Sequence, residues 1–136
     1  MSARSKARKA ALDLLYEGDI RNRPSLELLN ERITTLDYLI RDYTKELVTG
    51  VSEKKSKIDE IILMRAKGWD LDRMPVLDRN ILRLAAYELL WLTDIPENVA
   101  ISEAVELAMS LSTDESANYI NGVLAAILEV KSDLVL

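Results

Sequence analysis

Apolar residues recur every three or four positions along nearly the whole chain, which is the spacing of amphipathic α-helices. No run of four or more residues alternates apolar and polar side chains in the way that a half-buried strand does. The pattern therefore predicts an all-α fold of about seven helices, and the short loops favour antiparallel packing of neighbouring helices.

Prolines, glycines and capping residues set the expected limits of these helices. The first helix is expected over about residues 5–17, with a stop at Gly18, and the second begins at Pro24-Ser25. The third begins after an N-cap at Asp37. It directs four residues inward: Ile40, Tyr43, Leu47 and Val51. The other four are expected from near Ser56, from Pro75 to about Leu92, over about residues 100–110, and from a cap at Thr113 or Asp114 to about Val130.

The helical period breaks at residues 67–72, Lys-Gly-Trp-Asp-Leu-Asp. This break predicts that the single domain, residues 1–136, is built from two packed antiparallel sub-bundles, about 1–66 and 73–136. A second irregularity is Gly122, which lies inside the last helical pattern. Because glycine there costs roughly 1 kcal/mol relative to alanine, it predicts a close helix crossing.

Composition excludes several classes of chemistry. The 136 residues are 49% apolar, enough for the core of one globular domain, and they include neither cysteine nor histidine. Thiolate and imidazole catalysis, disulfides and the usual zinc sites are therefore not expected, and the four glycines are too scattered for a phosphate-binding loop. No apolar run approaches the roughly 20 residues of a membrane span. We expect a soluble, cytoplasmic protein without a cofactor or metal.

Charge is unevenly distributed behind the net value of -5. Residues 1–83 hold 17 of the 18 Lys and Arg residues, and residues 84–130 hold none. The first nine residues contain four bases and no acid, so the positive potential is highest at the start of the chain. One end suits a polyanion and the other suits a basic partner, although both could be simply solvated faces.

The first predicted helix has features that suit single-stranded RNA. On a helical wheel Tyr16 and Lys9 point away from the apolar arc, and Arg4 and Arg8 flank that arc. Cations for phosphates and a flat ring for an unpaired base are what such RNA requires. The alternative is that Tyr16 covers the second helix and that the bases only increase solubility.

Three blocks of the sequence resemble the NusB family of bacterial transcription antitermination factors. In order they are residues 7–17 (ARKAALDLLYE), residues 68–89 (from GWDLDR to YEL), and residues 94–124, which include DIP, VAISEAVELA and NGVL. The blocks lie in the family's order and cover essentially the whole chain. The GWDLDR block and the acidic stretch at 112–116 are more similar to actinobacterial members.

The resemblance implies a function and a set of site residues. It implies the all-α fold of two sub-bundles, binding of boxA-type single-stranded RNA in nascent ribosomal RNA together with the small-subunit ribosomal protein NusE, and loading of an antitermination complex on RNA polymerase. It implies no catalysed reaction. RNA binding is assigned by the resemblance to Arg4, Lys6, Arg8, Lys9, Tyr16 and Glu115, and contact with the ribosomal partner to Asp78.

Two alternatives belong to other classes of protein. In the first, the chain is a homodimeric scaffold whose N-terminal helix is occluded at the subunit interface. In the second it is a fragment of a ribosomal RNA cytosine methyltransferase, because such enzymes carry a NusB-like domain. The second is disfavoured, since 136 residues leave no room for a methyl-donor domain.

Overall fold

The structure, a computed structural model, describes residues 2–35, 39–66 and 71–136, with the backbone alone at Asp72. Within these ranges it contains six α-helices, two short 3-10 segments and no strand. The helices are α1 (Ala3–Arg21), α2 (Ser25–Thr35), α3 (Asp42–Arg65), α4 (Val76–Trp91), α5 (Glu97–Leu111) and α6 (Asp114–Val130). The predicted all-α class is confirmed, with six helices where the pattern predicted about seven.

The difference in number arises in α3, which unites the third and fourth predicted helices. Its buried side chains include Leu47, Val51 and Ile58, which are four and seven residues apart and therefore lie on one helical face. Between Val51 and Ile58 the positions that point away from this face are exposed and mostly charged, and glutamate and lysine are good helix formers. The expected N-cap of the third helix, Asp37, lies outside the described residues.

The predicted stop of the first helix at Gly18 is wrong. The helix continues three residues past Gly18 and ends at Asn22, which has a left-handed backbone with φ of 54°. Gly18 is buried in the last turn, where an added Cβ would lie 2.8 Å from the backbone oxygen of Arg23. This glycine is therefore required for the tight connection to α2, and Asn22 terminates the helix.

The chain divides into two compact units, Met1–Glu53 and Lys54–Leu136, with the boundary inside α3. The sequence placed the division at residues 67–72, most of which lie outside the described residues. In the first unit α1 packs against α2. In the second, α4 packs against both α5 and α6, and these two helices pack against each other.

Within the second unit α4 is buried along most of its length and carries polar groups inward. Arg83, only 7% exposed, donates from Nε and Nη2 to the two carboxylate oxygens of Asp59, at 2.8 and 3.1 Å. A two-pronged contact of this kind satisfies a charge that would be costly to bury alone. It fixes α4 to the second half of α3.

Gly122 does not mark a helix crossing. It lies exposed on α6, and no described atom outside its own helix backbone comes within 4 Å of the position that a Cβ would occupy. The prediction of a close crossing at this glycine is therefore wrong, because the inward face of α6 is formed by other residues, such as Ile120, Val123 and Leu124.

Candidate nucleic-acid and partner interfaces

The first turns of α1 combine two sources of positive potential. Ser2 caps the helix, its Oγ accepting a hydrogen bond from the backbone N–H of Ser5 at 3.1 Å. The first turn contains no acid to neutralise the helix dipole, and Arg4 and Lys6 are exposed. A phosphate group at this end would meet both the positive end of the helix and two cationic side chains.

The arginines of α1 gather on an aromatic ring of the same unit. The guanidinium carbon of Arg4 lies 5.1 Å, and that of Arg8 5.6 Å, from the centre of the Tyr43 ring. Arg8 is only 2% exposed, whereas Arg4 lies at the surface. The two arginines predicted to bind RNA are therefore neighbours, but only Arg4 presents its side chain to solvent.

A buried hydrogen bond holds the backbone next to this ring against α1. Thr44, 1% exposed and next to Tyr43 in the first turn of α3, donates from Oγ1 to the backbone oxygen of Ala7 at 2.9 Å. This contact anchors the start of α3 to the middle of the cationic segment. The ring and the arginines are thus held by backbone geometry as well as by their own attraction.

Lys9 and Tyr16 lie further along α1. Lys9 donates from Nζ to both carboxylate oxygens of Asp13, at 2.8 and 2.9 Å. Its charge is therefore partly compensated within one turn of the helix. Tyr16 is 39% exposed, as its position away from the apolar arc predicted, so part of its ring is available for stacking.

The end of the same helix forms an ionic cluster with α2. Glu17 accepts two hydrogen bonds from Nη2 of Arg32, both 2.7 Å long, and one from Nη1 of Arg21 at 2.6 Å. These bonds, led by that from Arg32, lower the pKa of the Glu17 carboxyl below its usual value. The cluster joins α1 to α2 beside Tyr16, and its two arginines outnumber its single carboxylate, so a positive charge remains there.

In the second unit Asp78, the residue assigned to the ribosomal partner, is buried. It is 2% exposed and accepts a 2.7 Å hydrogen bond at Oδ2 from the hydroxyl of Ser116. Ser116 also takes part in the cap of α6, because its backbone N–H donates to Oγ1 of Thr113 at 3.0 Å. A short chain of hydrogen bonds therefore links the first turn of α4 to the first turn of α6.

Glu115 is exposed in that first turn of α6. Asp114 lies in the same turn, and α5 and α6 together carry six Asp and Glu residues and no Lys or Arg, of which Glu97 is paired with Lys131 and Glu129 with Arg65. A carboxylate at the N-terminus of a helix is favoured by the helix dipole. The turn between Thr113 and Ser116 thus presents negative charge on a firmly capped helix end.

Two residues of these surfaces were missed by the sequence analysis. Tyr43 was placed among inward apolar residues, although the structure shows it half-buried under two guanidinium groups. Ser116 was assigned to the acidic stretch and to the third block that resembles the family, but without a hydrogen-bond partner. In each case the interaction partner lies more than 30 residues away, so helical spacing carries no signal of the contact.

Among the described helices, none combines the length and apolarity that a membrane crossing requires.

Comparison with known proteins gives similarities that extend over nearly the whole chain. The family model described as "NusB family" matches residues 5–129. The transcription antitermination protein NusB of Acidothermus cellulolyticus is 53% identical over 127 residues, which are 93% of this chain and 88% of that protein. The protein of the same description from Thermobifida fusca is 48% identical over 132 residues, covering 97% and 93% of the two chains.

Solved structures agree with these sequence matches. T. maritima NusB superposes with a TM-score of 0.82 at 33% identity, covering 98% of this chain and 99% of its own. A chain from the crystal structure of antitermination factors NusB and NusE in complex with dsRNA gives a TM-score of 0.81 at 29% identity, covering 93% and 96%. The resemblance that the sequence blocks predicted is confirmed, including its closeness to actinobacterial sequences.

Proposed function

This chain belongs to the NusB family, and from that premise we propose that it is a transcription antitermination factor that acts in the bacterial cytoplasm by binding, without catalysis. It binds boxA-type single-stranded RNA in nascent ribosomal RNA together with the ribosomal protein NusE, and it helps to load an antitermination complex on RNA polymerase. The observation that carries the proposal is 53% identity to a transcription antitermination protein over 93% of the chain. A homodimeric scaffold is not favoured, because the similar proteins are antitermination factors.

The charge distribution supports a requirement for a partner. A protein with a net charge of -5 is repelled at long range by RNA, and the cations of α1 provide only a local attraction. Helices α5 and α6, which carry no base, offer an acidic surface that steers a basic ribosomal protein. That protein brings further positive charge to the shared RNA.

The assigned residues take different parts in this proposal. Arg4 and Lys6, exposed beside the positive end of α1, contact phosphates, and Tyr16 stacks on an unpaired base. Lys9 contributes after exchanging its contact with Asp13 for a phosphate. Arg8, buried against Tyr43, adds positive potential from below the surface.

Two acidic residues belong to the partner side of the proposal. Glu115, exposed on the first turn of α6, lies at the surface shared by RNA and the ribosomal partner. Asp78 supports that surface from beneath through its hydrogen bond to Ser116. Its burial makes direct contact with a partner dependent on movement of the covering residues.

The test is a titration of fluorescently labelled boxA-type RNA with this protein, with NusE, and with both, at two salt concentrations. We expect tight binding only in the ternary mixture, with a log–log salt slope of about -0.7 for each phosphate neutralised. Double-stranded RNA of the same sequence serves as a competitor. Equal binding with and without NusE would contradict the proposal.

Variants of α1 locate the RNA surface. Tyr16→Ala removes an exposed ring, and the loss of one stacked base corresponds to about 1–3 kcal/mol of binding free energy. Arg4→Ala should reduce the magnitude of the log–log slope of affinity against salt concentration by about 0.7, because one phosphate contact is lost. The matched control is Lys131→Ala, which removes one cation outside α1. We expect it to leave the binding free energy and the salt slope nearly unchanged.

A further inference from the structure

The aromatic ring beneath the arginines of α1 suggests a role for a residue that lies on another helix. We propose that Tyr43 is a positioning residue for RNA binding, which holds the Arg4 guanidinium in place at the cationic end of α1. The inference rests on the proposed function, and it concerns how the surface is organised rather than which side chains touch RNA.

The geometry places one ring under two cations. Arg4 and Arg8 are four residues apart on α1 and therefore lie on one face of the helix, and their guanidinium carbons are 5.1 and 5.6 Å from the centre of the Tyr43 ring. Both distances are within the range of about 6 Å in which a cation is attracted to a ring face. The ring is thus a shared support for a buried and an exposed arginine.

The support is itself immobilised. The hydrogen bond from Thr44 to the backbone oxygen of Ala7 is 2.9 Å long and fully buried, and it joins the residue after Tyr43 to the residue before Arg8. This bond holds the backbone that carries the ring close to α1. Tyr43 therefore offers a fixed platform, whereas Lys6, on the same helix, has a flexible stem that retains rotational freedom.

Fixing an arginine before binding increases affinity, because less side-chain entropy is lost when it contacts a phosphate. A cation–π contact at an exposed site corresponds to about a two- to fivefold change in an equilibrium constant. Replacement of the ring by an aliphatic side chain should weaken RNA binding by this factor. Replacement of tyrosine by phenylalanine should not, because the ring face is retained.

The experiment compares Tyr43→Leu and Tyr43→Phe by titration of labelled boxA-type RNA in the presence of saturating NusE. Tyr43→Leu is expected to weaken binding two- to fivefold, and Tyr43→Phe to retain the parent affinity. Val51→Ala, a core change in the same helix eight residues from Tyr43, is the control for loss of stability. Circular dichroism confirms that each variant is folded at the assay temperature.

A double-mutant cycle with Arg4→Ala separates the possible results. If Tyr43 acts through Arg4, Tyr43→Leu has no further effect in the Arg4→Ala background. If Arg4→Ala weakens binding but Tyr43→Leu does not, or if Tyr43→Phe is as weak as Tyr43→Leu, the positioning role is overturned. If Arg4→Ala also has no effect, the assignment of α1 as the RNA surface fails instead.

Discussion

The hydrogen bond between Ser116 and Asp78 gives a prediction whose size follows from burial. Ser116→Ala removes the only donor that the described residues supply to a carboxylate that is 2% exposed. A hydrogen bond to a charged group contributes about 1.5–3 kcal/mol, and the higher helix propensity of alanine returns up to about 0.5 kcal/mol. We therefore expect the free energy of unfolding to fall by about 1–2.5 kcal/mol.

Urea unfolding followed by circular dichroism measures this loss, and Ser110→Ala is the matched control. Ser110 is exposed near the end of α5, so its replacement should change the free energy of unfolding by less than about 0.5 kcal/mol. Asp78→Ala in the Ser116→Ala background removes the stranded charge, so the double variant should lose less than the sum of the single variants. Equal costs for Ser116→Ala and Ser110→Ala would refute the reasoning.

The same variants show how Asp78 affects partner binding. Asp78→Asn keeps an oxygen that can accept from Ser116 but removes the charge, whereas Asp78→Ala removes both. If Asp78 acts by fixing the first turn of α6, Asp78→Asn should bind NusE nearly as well as the parent, and Asp78→Ala and Ser116→Ala should both be weaker. A direct charge contact gives the opposite pattern, with Asp78→Asn impaired and Ser116→Ala unaffected.

Three further expectations concern stability. Hydrogen bonds from Arg32 lower the pKa of Glu17 in the folded state. Their contribution to the free energy of unfolding is therefore complete above the pKa of the unfolded chain, near 4.5, and is lost as pH falls through the folded pKa. Glu17→Gln should make the free energy of unfolding less dependent on pH in this acid range. Gly122→Ala should raise the free energy of unfolding by about 0.5–1 kcal/mol, since a Cβ there meets no described atom. Gly18→Ala should lower it and the melting temperature, because its Cβ would lie 2.8 Å from a backbone oxygen of Arg23, and a gain in stability would show that the turn relaxes freely.

Helical spacing was sufficient to predict the fold class, because the inward face of each helix is set by residues three and four positions apart. For α6 the sequence offered Thr113 or Asp114 as the cap and an end near Val130, and the structure has Thr113 as the cap and Val130 as the last helical residue. The errors at Gly18 and Gly122 have a different origin. Whether a glycine ends a helix, lies under another segment or faces solvent depends on what packs there, and no local pattern contains that information.

The candidate site was predictable in composition but not in arrangement. The sequence placed the cations on α1 and Tyr16 on its outer face, and the structure agrees that Tyr16 is partly exposed. It could not distinguish the buried Arg8 from the exposed Arg4, because the ring that covers Arg8 comes from α3, 35 residues further along the chain. It likewise could not show that Asp78 is buried beneath the cap of α6.

The two ends of the chain suit a shared task because their charges are opposite and separated in sequence. If α1 carried enough cations to bind RNA alone, the protein would bind many transcripts, since phosphate contacts do not depend on sequence. With Lys9 compensated by Asp13 and Arg8 buried, the exposed and uncompensated charge near the start of α1 is small. Under the proposed function, a modest intrinsic affinity would make capture depend on a basic partner attracted by α5 and α6, so that RNA would be retained where both proteins are present. A variant that strengthens α1, such as Asp13→Asn, should accordingly raise binding to unrelated RNA in the absence of NusE.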